Sequence, residues 1–253
     1  MIPIVEWAAA LHAAARNQKA IPQWSSTEKY SLEEAYRIQH ALIEHRVGEG
    51  HPVVGVKMGF TSVAKMKQMG VDDMIIGQLT EDMWLNEQPL EKTQCIHPRA
   101  EPEIAFRLSA DIQSLMTAEE VYSCVDGVAA AVEVIDSRYE NFKFSLEDVV
   151  ADNCSSCAFS IGPWREVPLG LNGLDMELVF DDSTIDSGTS DGILDNPFEA
   201  LAAATRLAAQ YNIALKKGMV VLAGASTAAH FIRESSKVSA RGEGLGVADF
   251  MAS

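Results

Sequence analysis

The strongest constraint on this chain is a set of acids embedded in apolar, strand-like runs. Pro98-Arg99-Ala100-Glu101-Pro102-Glu103-Ile104-Ala105-Phe106 carries Glu101 and Glu103, and Ala131-Val132-Glu133-Val134-Ile135-Asp136-Ser137-Arg138 carries Glu133. Side chains alternate across a strand, so Glu101 and Glu103 share one face. Glu133 lies between Val132 and Val134, in a run too apolar for a solvated edge. A carboxylate buried without a partner is costly, and carboxylates crowded on one sheet face repel. A hard divalent cation answers both problems, because Mg2+ and Mn2+ prefer oxygen ligands and keep positions open for water or substrate. The alternative is that each acid ends its strand or pairs with a cation at the surface. Residue types alone leave both open.

Composition narrows the partners. The chain has 253 residues, 47% of them hydrophobic, enough for one large domain or a small domain beside a larger one. With 36 acidic and 20 basic residues its formal charge is −16. Such a surface argues against nucleic acid or an anionic membrane as partner. An anionic substrate would need a local cation or positive backbone dipoles. No apolar run approaches the roughly 20 residues that span a bilayer. The N-terminal Met1-Ile2-Pro3-Ile4-Val5-Glu6-Trp7 has no basic segment and does not read as a signal peptide. The expected location is the cytoplasm.

Residues 3–47 read as helical, with Ser31-Leu32-Glu33-Glu34 as a capping box. Residues 1–75 are expected to form a mainly helical N-terminal region and residues 76–253 a β-rich core. Val53-Val54-Gly55-Val56-Lys57-Met58-Gly59-Phe60 reads as a strand whose parity sets Lys57 between two glycines, leaving room for a ligand; a solvated strand lysine is the alternative. Thr61-Ser62 begins a short helix through Met69 that is either a lid or a plain connection. Thr117-Ala118-Glu119-Glu120 is a second capping box, and Asn196-Pro197 opens a helix to about Gln210. Met219 to Ala223 reads as a buried strand. Gly224-Ala225-Ser226-Thr227 then reads as a helical start, either an anion site or an ordinary turn. Cys154-Ser155-Ser156-Cys157 has C-x-x-C form, but Cys95 and Cys124 supply no second metal pair, so all four cysteines are read as thiols.

Several of these segments, in this order, resemble one family. They are Val54-Gly55-Val56-Lys57-Met58-Gly59-Phe60-Thr61-Ser62, Met69-Gly70-Val71-Asp72, Arg99-Ala100-Glu101-Pro102-Glu103-Ile104-Ala105, Val132-Glu133-Val134-Ile135-Asp136-Ser137-Arg138 and Val150-Ala151-Asp152-Asn153-Cys154-Ser155-Ser156. Together they are similar to the hydratase/decarboxylase family of aromatic meta-cleavage pathways, within the fumarylacetoacetate hydrolase superfamily. The resemblance runs from about residue 30 to the C-terminus. Ala64 to Val71 and Ser137 to Phe144 look like its decarboxylase branch rather than its hydratase branch.

The resemblance implies an α+β fold with a mixed, curved β-sheet core and a smaller N-terminal helical region. It implies Mg2+ or Mn2+ held by Glu101, Glu103 and Glu133, Lys57 lining the pocket as a catalytic group, and Ser155 and Thr227 holding substrate oxygens. The implied reaction is decarboxylation of the small anionic 2-oxo acid 2-oxo-3-hexenedioate to 2-hydroxypenta-2,4-dienoate. Lys57 would serve the departing carboxylate or donate a proton. It also implies a homo-oligomer and a complex with the vinylpyruvate hydratase that takes the product. The competing expectations are the hydratase reaction itself, a C–C bond hydrolase with His97 as base, and a non-catalytic scaffolding subunit.

Overall fold

A computed structural model describes residues 2–62, 66–67, 70–233 and 236–253. Helices α1 (Ile4–Arg16) and α2 (Leu32–Gly48) pack together over one side of the molecule. α2 starts at the expected capping box: Ser31 Oγ accepts from the Glu34 N–H at 3.2 Å, and the Glu34 carboxylate accepts from the Ser31 N–H at 2.9 Å. Such a cap contributes about 1 kcal/mol. The short helix α3 (Ala118–Tyr122) begins at the second box, on Thr117 and Glu120. Helices α4 (Leu146–Ala151) and α5 (Pro197–Gln210) complete the helical layer.

The strands form two sheets. The larger contains β1 (Val53–Gly59), β2 (Ile75–Thr80), β3 (Arg99–Leu108), β4 (Val125–Ile135), β5 (Ser156–Ile161) and β8 (Val220–Ala225), in the order β2-β1-β8-β3-β4-β5, with the short β9 (His230–Phe231) also paired to β3. The smaller has β6 (Asp175–Phe180), β7 (Ser183–Thr189), β10 (Lys237–Gly242) and β11 (Gly246–Met251), in the order β11-β10-β6-β7. Ala100, Val132 and Val134 of the large sheet meet Leu178, Phe180 and Val238 of the small one. Elsewhere Phe106 packs on Phe198 of α5, ring centroids 5.1 Å apart. Each such buried side chain contributes roughly 1.5–3 kcal/mol. The architecture is the expected α+β with a mixed, curved sheet.

Three details differ from expectation or extend it. β1 is hydrogen-bonded antiparallel to β2 and parallel to β8, so a boundary near residue 75 runs between paired strands. Gly55 and Gly59 make room for the protein itself: a Cβ would stand 2.3 Å from the Val220 carbonyl oxygen and 2.8 Å from the Ile75 side chain, respectively. The helical start expected at Gly224 to Thr227 is absent. β8 runs through Ala225, and the Ser226 N–H and hydroxyl both go to the Pro102 carbonyl, which ties this segment to β3 instead of into a helical turn. The helix expected from Thr61 to Met69 lies largely outside the described residues.

Candidate active site

Pairing register assembles the acids. Glu101 on β3 stands directly across from Glu133 on β4, and Glu103 lies two residues along the same face of β3. One carboxylate oxygen from each lies within 4.8 Å of the others. Glu103 and Glu133 are completely buried and Glu101 nearly so. Lys57, on β1, reaches the group from across β8, its Nζ 2.8 Å from Glu133 Oε2 and 3.2 Å from the Cys154 carbonyl oxygen. The Gly224 N–H donates to Glu103 Oε2 at 2.9 Å. Gly224 has φ +111°, and a Cβ there would strike Thr61 Oγ1 at 2.0 Å, so this contact requires glycine.

The charges are left incomplete. Glu103 Oε1 and Glu133 Oε1 are buried with no hydrogen-bond partner among the described residues. Burial first, then the neighbouring Glu133 charge, holds the Glu103 carboxyl well above the usual carboxylate range. Burial also raises Glu133, with Lys57 opposing. Burial alone would lower Lys57; Glu133 foremost outweighs it, and the amine stays a cation. When all three acids are ionised, they outnumber the Lys57 ammonium, and a divalent cation would offset the excess negative charge. An all-oxygen donor set with unpaired lone pairs suits Mg2+ or Mn2+.

Lys57, Glu101 and Glu103 border a cavity of about 340 Å³, whereas the fully buried Glu133 is not part of its wall. Its wall includes Ser155, whose buried hydroxyl has no partner among the described residues. Ser155 belongs to a turn that sequence reasoning missed. Asn153, Cys154 and Ser155 have φ of 50°, 54° and 58°, a left-handed run of non-glycine residues. Such backbone persists only where its surroundings over-determine it. Here Asn153 exchanges two side-chain hydrogen bonds of 2.8 Å with the Gln78 backbone, and Gln39 Nε2 donates to the Ile76 and Val150 carbonyls. Arg138 and Asp152, both buried, form an ion pair beneath the turn. The turn aims the Cys154 carbonyl at Lys57 and Ser155 into the cavity. The only signal in the chain was the polar Asp152-Asn153 pair after an apolar helix.

Other expected residues fall elsewhere. Thr227 is not among the cavity-lining residues, and its methyl lies towards Gly188. His97 is also outside; its Nε2–H donates to the Ser137 carbonyl at 2.7 Å and is spent there. The stretch from Tyr139 to Phe144 divides: Tyr139 is buried against Trp24, whereas Phe142 and Phe144 line the cavity. Arg99 also lines it, though the sequence reading gave it no role. The C-x-x-C cysteines do not pair; Cys157 Sγ instead lies 3.9 Å from Cys95 Sγ, as thiols. They border a separate hollow of about 670 Å³ that contains none of the three glutamates and whose Arg46 is already paired with Asp82.

No family model matches the chain. It is 45% identical over 241 residues to a 4-oxalocrotonate decarboxylase of Pseudomonas sp, covering 95% of this chain and 94% of that protein. It is 31% identical to a 2-keto-4-pentenoate hydratase of Paraburkholderia xenovorans, covering 87% and 84%. The structure of 4-oxalocrotonate decarboxylase from Pseudomonas putida G7, complexed with magnesium and adipate, superposes with a TM-score of 0.91 at 29% identity over 98% of this chain and 96% of that one. Relatedness over nearly the whole length and the shared fold agree: the chain belongs to the hydratase/decarboxylase family, and its fold is also that of a fumarylacetoacetate hydrolase family protein of Yersinia pestis CO92, at 15% identity and a TM-score of 0.59.

Proposed function

We propose that this protein is a divalent-metal-dependent decarboxylase that converts 2-oxo-3-hexenedioate (4-oxalocrotonate) to 2-hydroxypenta-2,4-dienoate and CO2. Glu101, Glu103 and Glu133 would hold Mg2+ or Mn2+. The buried carboxylates with unpaired oxygens beside the Lys57 ammonium, next to an open cavity, support this most directly. A scaffolding subunit has no use for such a cluster. The higher identity to a decarboxylase, 45% against 31% for the hydratase, favours CO2 loss over hydration.

The bound cation supplies Lewis-acid stabilisation of the 2-oxo oxygen as negative charge develops there. The chain's own groups do the rest. The substrate is a vinylogous β-keto acid: as CO2 leaves, its bonding electron pair runs through the double bond towards the 2-oxo oxygen. Lys57, kept protonated by Glu133, adds fixed positive charge at that end. Ser155 offers an uncommitted hydroxyl to a substrate oxygen. Thr227 would contribute only from the rim. Phe142, Phe144 and Val149 keep the wall apolar, which strengthens every charge interaction inside. Homo-oligomerisation, a complex with the product-consuming hydratase and a cytoplasmic location belong to the same proposal.

Two substrates given to the purified protein with Mg2+ decide it. 2-oxo-3-hexenedioate should yield CO2, and 2-hydroxypenta-2,4-dienoate should yield no 4-hydroxy-2-oxopentanoate; the reverse result assigns the hydratase. Glu133→Gln should lower turnover by at least ~10²–10³-fold while the protein stays folded by circular dichroism. Full activity in that variant, or after exhaustive chelation, rejects the metal site.

A further inference from the structure

The proposed substrate carries a second carboxylate, and among the described residues the Lys57 ammonium is already engaged. Lys57 is committed to Glu133 and to the Cys154 carbonyl. Arg99 lines the same cavity. It is on the same face of β3 as Glu101 and Glu103, two residues before the first of them.

The Arg99 guanidinium is held between two rings. Its central carbon lies 4.2 Å from the Phe142 centroid and 4.3 Å from the Phe231 centroid. Phe231 is the direct register partner of Arg99 across the β3–β9 pair. Phe142 follows Asn141 in a turn where both have positive φ, 58° and 56°, and its ring is backed by the His97 ring at 4.8 Å. The rings occupy both faces of the guanidinium and take none of its N–H groups. Arg99 Nε is buried with no hydrogen-bond partner among the described residues, and the opposing charge that acts on the guanidinium is Glu101. A cation lining a cavity with its faces covered and its Nε–H unused is built for a planar anion.

We propose that Arg99 binds the distal carboxylate of the substrate and makes the site selective for dicarboxylates over monocarboxylates. This rests on the decarboxylase reading above. The distal carboxylate is also the one that departs: its bond to the chain breaks, the electron pair enters the conjugated system, neutral CO2 leaves and Arg99 keeps its protons. Pairing with Arg99 stabilises the carboxylate and not CO2. Its contribution therefore lies in binding and in fixing the plane of the carboxylate, which sets the breaking bond relative to the π system. Loss of Arg99 should appear mainly in KM.

The test is calorimetric titration of the Mg2+-loaded protein with adipate, which has two carboxylates, and with oxalate, which mimics only the metal-directed end. Arg99→Gln should weaken adipate about 10²-fold and leave oxalate within about twofold. Arg99→Lys, which keeps the charge without the fork, should fall between, and Phe231→Leu should weaken adipate about threefold to tenfold. In turnover, Arg99→Gln should raise KM for 2-oxo-3-hexenedioate by a similar ~10² while kcat changes less than about tenfold. Unchanged adipate binding in Arg99→Gln, or equal losses for adipate and oxalate, overturns the proposal. If Arg99→Gln does not fold, the Lys and Leu variants carry the same comparison. Absence of CO2 release by the unmodified protein would overturn the decarboxylase reading, while the adipate-against-oxalate difference would still decide the role of Arg99.

Discussion

Two sets of buried charges lie on either side of the left-handed turn, and they are finished differently. Below it, Arg138 is saturated. Its guanidinium donates to the Asp152 carboxylate, to the Asp152 carbonyl, and to the Asp136 and Ser156 carbonyls at 2.7 and 2.9 Å, while the Arg138 N–H meets Asp152 Oδ2 at 3.0 Å. Above it, Glu103 and Glu133 retain oxygens with no hydrogen-bond partner among the described residues, beside Lys57. A buried ion pair with every group satisfied holds a conformation; a buried cluster left incomplete is completed from outside. The same chain thus builds a clasp and a socket from the same residue types, and the hydrogen-bond inventory tells them apart.

The largest effect should come from breaking the clasp. Arg138→Met strands the Asp152 charge and should destabilise the protein by about 3–5 kcal/mol, measured by urea denaturation. A cost below about 1 kcal/mol would mean that the clasp does not hold the turn. Filling the socket should come next. Burial holds Glu103 and Glu133 above ordinary carboxylates, so their contribution to the metal-free fold is full below the unfolded value near ~4.3 and is lost as pH rises through the folded values. Metal needs both ionised. Mg2+ at about a hundred times its Kd should therefore add up to ~2.7 kcal/mol, with the rise in Tm larger at about pH 8 than at about pH 5. A pH-independent shift would count against the glutamates as ligands. The smallest effect separates the regions most cleanly. In metal-free protein near neutral pH, Glu103→Gln should gain ~1 kcal/mol by relieving repulsion, whereas neutralising Asp152 should lose stability. Parallel changes in Tm would erase the distinction.

Much of this was legible before any coordinates. The capping boxes at Ser31 and Thr117 announce their helices because both partners lie within one turn. The parity of Glu101 and Glu103 follows from the alternation of any strand, and the apolar neighbours of Glu133 already imply burial. Arg99 could have been read onto the same face by the same parity, but nothing local says that Phe142 and Phe231, 43 and 132 residues away in the chain, close over it. Nor does composition reveal three non-glycine residues in left-handed conformation at Asn153 to Ser155. Those dihedrals are imposed by Gln78, Gln39 and Arg138, which arrive from other elements. The cysteines make the same point: spacing singles out Cys154 and Cys157, whereas the fold sets Cys157 beside Cys95.

By itself, then, the sequence determined which residues are acidic within apolar strands, which face each takes and where the helices begin, because these follow from periodicities of two and from contacts within a turn. Only the tertiary structure decided that Glu133 stands across from Glu101, that Lys57 joins them and that Phe142 and Phe231 come to lie against Arg99. Register and crossover order bring together groups far apart in the chain, and no local preference encodes that.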